Sequence, residues 1–534
     1  MMKKNILCMS LASMLFLVSG SAYAAKTFVY CSEASPRTFN TQLSDDTVSG
    51  HASKLMYNRL VEFDRGGVQI VPRLAESWTV SDDNLVYTFT LRKDVKFHTT
   101  DYFTPKRNMN AEDVVFSFMR MHDKNHPFHN VGGAKYVFYM GMEMPDVIKS
   151  IEKVGEYKVR FTLNKPQGTF LTNLALETIG QILSKEYGDQ LIKEKNKDQM
   201  DSMPIGTGPY AFKSYKKDSS IRYVAFKDFF AESPKVDQIV FLITPDQTVR
   251  VQKMIAGECD MIAEPPAMEY NNFKKNPNLK VIDGDVINIS YLAFNVNKKP
   301  FTDVKVRKAV AHALNRKSYI DAIYRGRATV AESILPHNMW GYNDNLPVYD
   351  YNIDKAKKLL KDAGFENGFT TEVWALPVSR AYNPDGKKLA ELMQSDLAKV
   401  GITAKIVTFD STTYFNKTEE GYHTMAQLGW SSDNGDPDNF VTPLLSCASA
   451  ESGSNIAKWC NKEFDALIQK AQTLAAADRA ERSKLYEQAQ LIYKNEVPSI
   501  PIASSKIYRV MKKNVMGYVM NPFGRDDFEF IELK

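Results

Sequence analysis

The chain is 534 residues long, carries a formal net charge of +5, and has 25% charged residues. So small a charge on so long a chain argues against a polyanionic partner such as nucleic acid. Beyond the N-terminus no segment reaches the roughly 18 consecutive apolar residues of a membrane helix. The length exceeds what one core can organise, so two or more domains are expected.

At the start, Lys3 and Lys4 precede an apolar run over residues 6–18, and Ala22-Tyr23-Ala24 follows it. This is the pattern of a secretory signal with an A-x-A cleavage site, and its apolar part is too short to span a bilayer. The mature chain is expected to begin at Ala25, where loss of the two lysines lowers the charge from +5 to +3. Cys8 lies at the front of the apolar run, not at its end where a lipid-modified cysteine sits. The expected destination is therefore a Gram-negative periplasm, without a lipid anchor.

Four cysteines remain: Cys31, Cys259, Cys447 and Cys460. In an oxidising compartment an even number suggests two disulfides, with three pairings open. The polar, Gly/Ser-rich loop between Cys447 and Cys460 favours these two as a local pair, which leaves Cys31 with Cys259. None has a second cysteine or a histidine at C-x-x-C-type spacing, which argues against zinc.

Residues 27–30 read as a short strand and 57–63 as an amphipathic segment. Residues 85–91 alternate as a half-buried strand does. Residues 111–122 carry helical periodicity after Asn110, a good N-cap, with Glu112 and Asp113 in the first turn. Strands follow at 157–163, 221–226, 239–244 and 281–295, and the Gly/Pro-dense run 204–210 suits a passage between subdomains. A long helix is expected over 303–324, ended by Gly326, and others over 354–363 and 386–400; residues 402–407 form a strand. The region 464–495 reads as helical with a break near Asp478. The tail 507–534 reads as short strands that rejoin the first part of the chain. Strands and helices alternate throughout, so the class is α/β.

One stretch concentrates charge at a turn: Gly429-Trp430-Ser431-Ser432-Asp433-Asn434-Gly435-Asp436-Pro437-Asp438-Asn439. It follows the apolar run Met425-Ala426-Gln427-Leu428, so carboxylates stand at the end of a buried strand. Its acids do not have EF-hand spacing, and Leu444 stands where the bidentate glutamate belongs. No partner acid or nucleophile has the spacing of a catalytic pair. G-x-S-x-G, H-E-x-x-H and Walker A motifs are also missing. His122, His126 and His129 sit among polar residues at a helix end, where a solvated turn is preferred to a metal site. Asp433 is read as the acceptor of a ligand's positive charge, with Asp436 and Asp438 shaping and capping the turn.

Several segments carry a resemblance: Phe28-Val29-Tyr30-Cys31-Ser32-Glu33, Tyr57-Asn58-Arg59-Leu60-Val61-Glu62-Phe63, Leu91-Arg92-Lys93 with Lys96-Phe97-His98, Asn110-Ala111-Glu112-Asp113-Val114-Val115-Phe116-Ser117-Phe118, the run 204–209, Val304-Lys305-Val306-Arg307, Trp340-Gly341-Tyr342-Asn343-Asp344, and 433–439. On these the chain resembles the periplasmic solute-binding proteins that carry peptides and nickel complexes to ATP-driven importers, most closely the dipeptide-carrying members. The resemblance covers essentially all of the mature chain. It implies two α/β lobes joined by a hinge: an N-terminal lobe over 25–285 with a subdomain inserted at 58–207, a second lobe over 286–505, and a tail over 506–534 that completes the first. It implies the same cysteine pairs.

By the same resemblance Asp433 receives a peptide's ammonium. Arg380, in Pro377-Val378-Ser379-Arg380-Ala381-Tyr382-Asn383-Pro384, receives its carboxylate. An extended dipeptide is about 7 Å long, so two fixed opposite charges measure ligand length, and both pairs are charge-assisted. Trp430, Ser432, Tyr382 and Ser411 are the other expected ligand contacts. Ser411 stands where dipeptide carriers have a tryptophan, and Val286 where they have a glycine. The loop 44–51, with Asp45 and Asp46, is more acidic than theirs. These departures suggest small, polar or basic ligand side chains. The expectation is a monomeric, non-enzymatic carrier without cofactor, partnered by a short peptide and an inner-membrane ABC permease. Haem, glutathione or a nickel chelate on the same scaffold is the alternative, and a secreted peptidase the alternative of another class.

Overall fold

The computed structural model describes residues 25–44, 46–133, 135–474 and 478–534. The signal segment with Cys8, and Asp45 in the acidic loop, lie outside these residues. One twelve-stranded sheet runs through both lobes. In the first lobe Thr27–Ser32 lies parallel to both Gln238–Ile243 and Met261–Ile262, and the antiparallel strands Ser220–Ala225 and Tyr210–Lys216 extend the edge. In the second lobe Met425–Ser431 lies between Asn288–Phe294, antiparallel, and Phe369–Trp374, parallel, with Ile402–Val407 beyond.

The 14-residue strand Ser499–Lys512 belongs to both lobes. Its first residues pair with Asn288–Phe294 and its last with Leu279–Asp285. The single strand expected over 281–295 is thus two strands, one in each lobe. The break has a physical cause: Ile287 donates its N–H to Pro522 O in the tail (3.0 Å), while its carbonyl accepts from Ser432 N (2.7 Å) and so continues the pairing of the second lobe only. The chain crosses between lobes here and again within Ser499–Lys512.

A separate four-stranded antiparallel sheet, Ala75–Val80, Val86–Leu91, Lys158–Leu163 and Ile148–Gly155, lies in the first lobe. The helix Ala111–His122 packs on it through Phe118, whose ring meets Phe161 at 5.0 Å. Its start is a capping box: Asn110 accepts from the first turn, and Asp113 accepts the Asn110 N–H at 2.9 Å.

The helix expected over 303–324 is two, Val304–Ala313 and Arg316–Tyr324. Asn315 interrupts the periodicity by capping the second, accepting from Ser318 N (3.3 Å) while its own N–H goes to Asp396 (2.9 Å). Helices Lys462–Thr473 and Arg479–Glu496 flank the break near Asp478. The histidines read as a solvated turn are half-buried and bonded, His122 to the Tyr139 hydroxyl (3.1 Å) and His129 to Arg120 O (2.9 Å), while the His126 ring packs on Phe116 (4.8 Å). Bonds join Cys31 to Cys259 and Cys447 to Cys460, across 228 and 13 positions. Among the described residues no helix is long and apolar enough to cross a membrane.

The tail begins as the second half of a long strand, where short strands alone were expected. It then packs on the first lobe, with Phe528 against Phe28, Tyr30 and Phe241. Asp526 anchors it: Arg509 Nε and the Tyr518 hydroxyl each donate to Asp526 at 2.7 Å. Burial opposes ionisation of Asp526, but the Arg509 guanidinium, His51 and the hydrogen bonds from Arg509 and Tyr518 together outweigh it and hold the carboxyl below its ordinary 3.8. Its stabilisation is therefore present above about pH 4 and lost as pH falls below that. Asp526→Asn leaves the buried Arg509 with only Glu264, 3.7 Å away, as countercharge and is expected to cost about 3 kcal/mol at pH 7. Urea midpoints at pH 7 and pH 3 check this; equal midpoints at pH 7 contradict it.

Candidate functional site

The acidic turn is held by its own side chains. Strand Met425–Ser431 ends, and Ser432 accepts the Gly435 N–H (2.8 Å), Asn434 that of Asp436 (3.0 Å), and Asp436 that of Asp438 (3.0 Å), leading into helix Asp438–Leu445. Asn439 then fixes Asp433 twice, accepting its N–H at 2.7 Å and donating to its carboxylate at 3.0 Å. From outside, Arg482 grips Asp436 through both guanidinium nitrogens at 2.8 Å, and Trp340 donates to Gly435 O at 3.1 Å. The carboxylate of Asp433 is thus aimed by groups that leave it little freedom.

Asp433 is buried, and burial holds its carboxyl above the ordinary range, against Arg525 and Asn439, which favour the charged form. Arg525 Nη2 pairs with it directly, while Arg525 Nη1 reaches Glu177 at 3.0 Å. Arg380 is buried as well; Nη1 donates to Glu33 at 2.9 Å and to Ser379 O at 3.2 Å. Its desolvation is outweighed chiefly by Glu33, and its basicity is raised. The short ladder in which Arg380 and Asn383 exchange backbone hydrogen bonds holds the loop in place. Tyr382 lies so close to Gly429 that a Cβ there would meet the ring at 2.2 Å, so the strand needs glycine at that point.

Asp433 and Arg380 line one cavity of about 100 Å³ between the lobes. Tyr382, Trp430, Leu428 and Phe415 supply its apolar wall, and Asp46, Glu264 and Arg525 further charge. Glu264 holds a left-handed backbone, φ 42°, a strained conformation found at functional sites. The lobes meet around this space. Besides Glu33 with Arg380 and Arg525 with Asp433, Arg37 donates to Asn416 (2.5 Å), Gln247 to Ser379 (3.0 Å), and Trp430 stacks on Phe138 at 5.9 Å, 4° from parallel. The small volume fits closed lobes.

Other expected residues lie elsewhere. Ser411 opens the helix Ser411–Glu419 and is not part of the cavity wall; one to two turns on, Phe415 and Thr418 are. Ser432 is buried and shapes the turn. Val286 is not itself part of the cavity wall but packs behind it, against Gly524, which is. Asp438 does not cap the turn: its carboxylate accepts from Thr442 (2.6 Å) and Gln472 (2.9 Å). Sequence reasoning missed Arg525, Glu177 and Glu264, which are far from Asp433 in the chain; the one local signal is the turn Asn521-Pro522-Phe523-Gly524 before Arg525, which does not name its partner.

The profile of bacterial extracellular solute-binding proteins, family 5, matches residues 69–452, more than half the chain. The chain belongs to this family. This family 5 chain is 43% identical to the dipeptide-binding protein of Escherichia coli over 533 residues, 100% of this chain and 99% of that one. It is 45% identical to haem-binding protein A of Haemophilus influenzae over 503 residues, 94% and 91% of the two. A crystal structure of a dipeptide-binding protein from a Pseudoalteromonas species, in complex with Met-Leu, superposes with a TM-score of 0.92 at 38% identity, covering 95% of this chain and 100% of that one.

Within the turn of this family 5 protein, burial and the neighbouring Asp436 push the Asp438 carboxyl from 3.8 up to about 6, against the two hydrogen bonds it accepts. A folded value above the unfolded one means that the charged form is penalised above about pH 6 and that stability is regained as pH falls toward 4. Asp438→Asn is expected to stabilise the protein at pH 7.5 by on the order of 1 kcal/mol, with the gain gone near pH 4.5. Denaturant melts at the two pH values decide it, and a loss at pH 7.5 contradicts it.

Proposed function

We propose that the protein is a periplasmic carrier of dipeptides and similarly short peptides, acting as a monomer, that closes its lobes on the ligand and presents the closed form to an ABC importer of the inner membrane. The observation that carries this reading is the placement of two buried, oriented, opposite charges, Asp433 and Arg380, on the wall of one interlobe cavity. A zwitterion with an ammonium at one end and a carboxylate at the other matches that pair. Arg380 makes its hydrogen bonds to described residues through Nη1, which leaves Nη2 and Nε for a ligand carboxylate.

Opening would turn on the two interlobe crossings, at 286–287 and within Ser499–Lys512. Ligand favours the closed form because it contacts both lobes only there. The relatives named for dipeptide binding support this choice of ligand. The relative named for haem binding is equally similar in sequence. A cavity lined at intervals by carboxylates and guanidinium groups nevertheless suits a zwitterion better than a large apolar ring. The family name describes binding, not catalysis, and no catalytic role is proposed.

Asp433→Ala and Arg380→Ala are each expected to weaken binding of Ala-Ala by about 2 to 5 kcal/mol, because each leaves a ligand charge buried without its partner. Calorimetric titration of ligand-stripped protein measures this, and unchanged affinity in either variant refutes the assignment.

A further inference from the structure

We infer that Arg525 sets ligand length and competes with the ligand's ammonium for Asp433. The inference rests on the peptide-carrier reading above and adds a residue that the ligand must displace. Its backbone is fixed: Asn521 accepts the Phe523 and Arg525 N–H groups (3.0 and 3.2 Å) and donates to Arg525 O (3.0 Å). From that fixed point the side chain reaches Asp433, 92 positions away in sequence, and stays 22% exposed.

Two observations give it this role. First, Arg525 is held by two carboxylates, Asp433 through Nη2 and Glu177 through Nη1. Glu177 also lies 3.8 Å from Arg59 and 3.9 Å from Lys54, so it is surrounded by cations. A ligand ammonium arriving at Asp433 replaces the contact of Arg525 with Asp433 and leaves the guanidinium anchored on Glu177. The exchange swaps one cation for another on a carboxylate that is never left bare.

Second, Arg525 is a partition. Asp433, Phe523 and Arg525 line the ligand cavity on one side and a second cavity of about 260 Å³ on the other. That second space is walled by nearly balanced charge, Lys54, Arg59 and Arg73 with Glu62, Asp527 and Glu529 among its lining. Polar peptide backbone and a terminal ammonium are suited to such a wall. With the guanidinium in place a peptide chain ends at Asp433; with it gone, one or two further residues extend past Asp433 into the second cavity.

The test is calorimetric titration of the ligand-stripped mature protein and its variants with Ala-Ala and Ala-Ala-Ala-Ala. In Arg525→Ala the tetrapeptide is expected to gain at least tenfold on the dipeptide relative to wild type. Arg525→Gln, which keeps most of the volume but not the charge, is expected to bind Ala-Ala at least threefold more tightly, with its length preference within threefold of wild type. An unchanged length preference in Arg525→Ala, with dipeptide still bound, overturns the inference while leaving the carrier reading intact. Should Arg525→Ala not fold, Arg525→Gln decides: equal or weaker Ala-Ala binding overturns it. If wild type binds neither peptide, the carrier reading itself fails and the inference falls with it.

Discussion

Carboxylate–guanidinium pairs span the gap between the lobes: Glu33 with Arg380 and Asp433 with Arg525 at the cavity, and Arg37 with Glu419 (3.4 Å) beside it. Glu33, Arg380 and Asp433 are buried, so any of them stranded by loss of its partner is expensive, whereas one whose partner is exchanged for a ligand group of the same sign is not. A cleft that holds its own charge in pairs is thereby compatible with the exchange of one partner for a ligand group of the same sign. The cleft already contains what an extended zwitterion brings, distributed over two lobes instead of one molecule.

The scaffold places these charges through very few crossings. The strand Ser499–Lys512 gives its first half to one lobe and its second half to the other, and at the second crossing Ile287 bonds to the tail and to Ser432 beside the acidic turn. Two single-chain crossings permit rotation of one lobe against the other without melting either core. The tail makes the arrangement coherent: it is anchored on the first lobe through Asp526 and sends Arg525, the preceding residue, to the second. Stability of the tail and chemistry of the site are therefore set by adjacent residues with opposite orientations.

The acidic turn separates three carboxylates by environment. Asp433 faces the cavity and a guanidinium; Asp436 is neutralised by the bidentate grip of Arg482; Asp438 is buried with one oxygen unbonded and is pushed toward protonation. Identical side chains within six positions thus do three jobs, because burial and the nearest cation differ for each.

By itself the sequence determined the local features: the helix opened by Asn110, a buried strand entered at Met425–Leu428, the turn after it with Asp436 shaping it, and the α/β alternation. Each of these rests on residues close in the chain, where periodicity and capping are legible. Segment-by-segment resemblance carried the two-lobed fold and singled out Asp433 and Arg380. Only the tertiary structure decided that the strand over 281–295 is broken, since its cause is a pair of hydrogen bonds to residues far along the chain. It likewise decided that the helix over 303–324 is two, that Phe415 and Thr418 line the cavity where Ser411 was expected, and that Arg525 meets Asp433. The last could not be read in advance, because an arginine in a tail carries no mark of its partner; packing brings the two together across 92 positions.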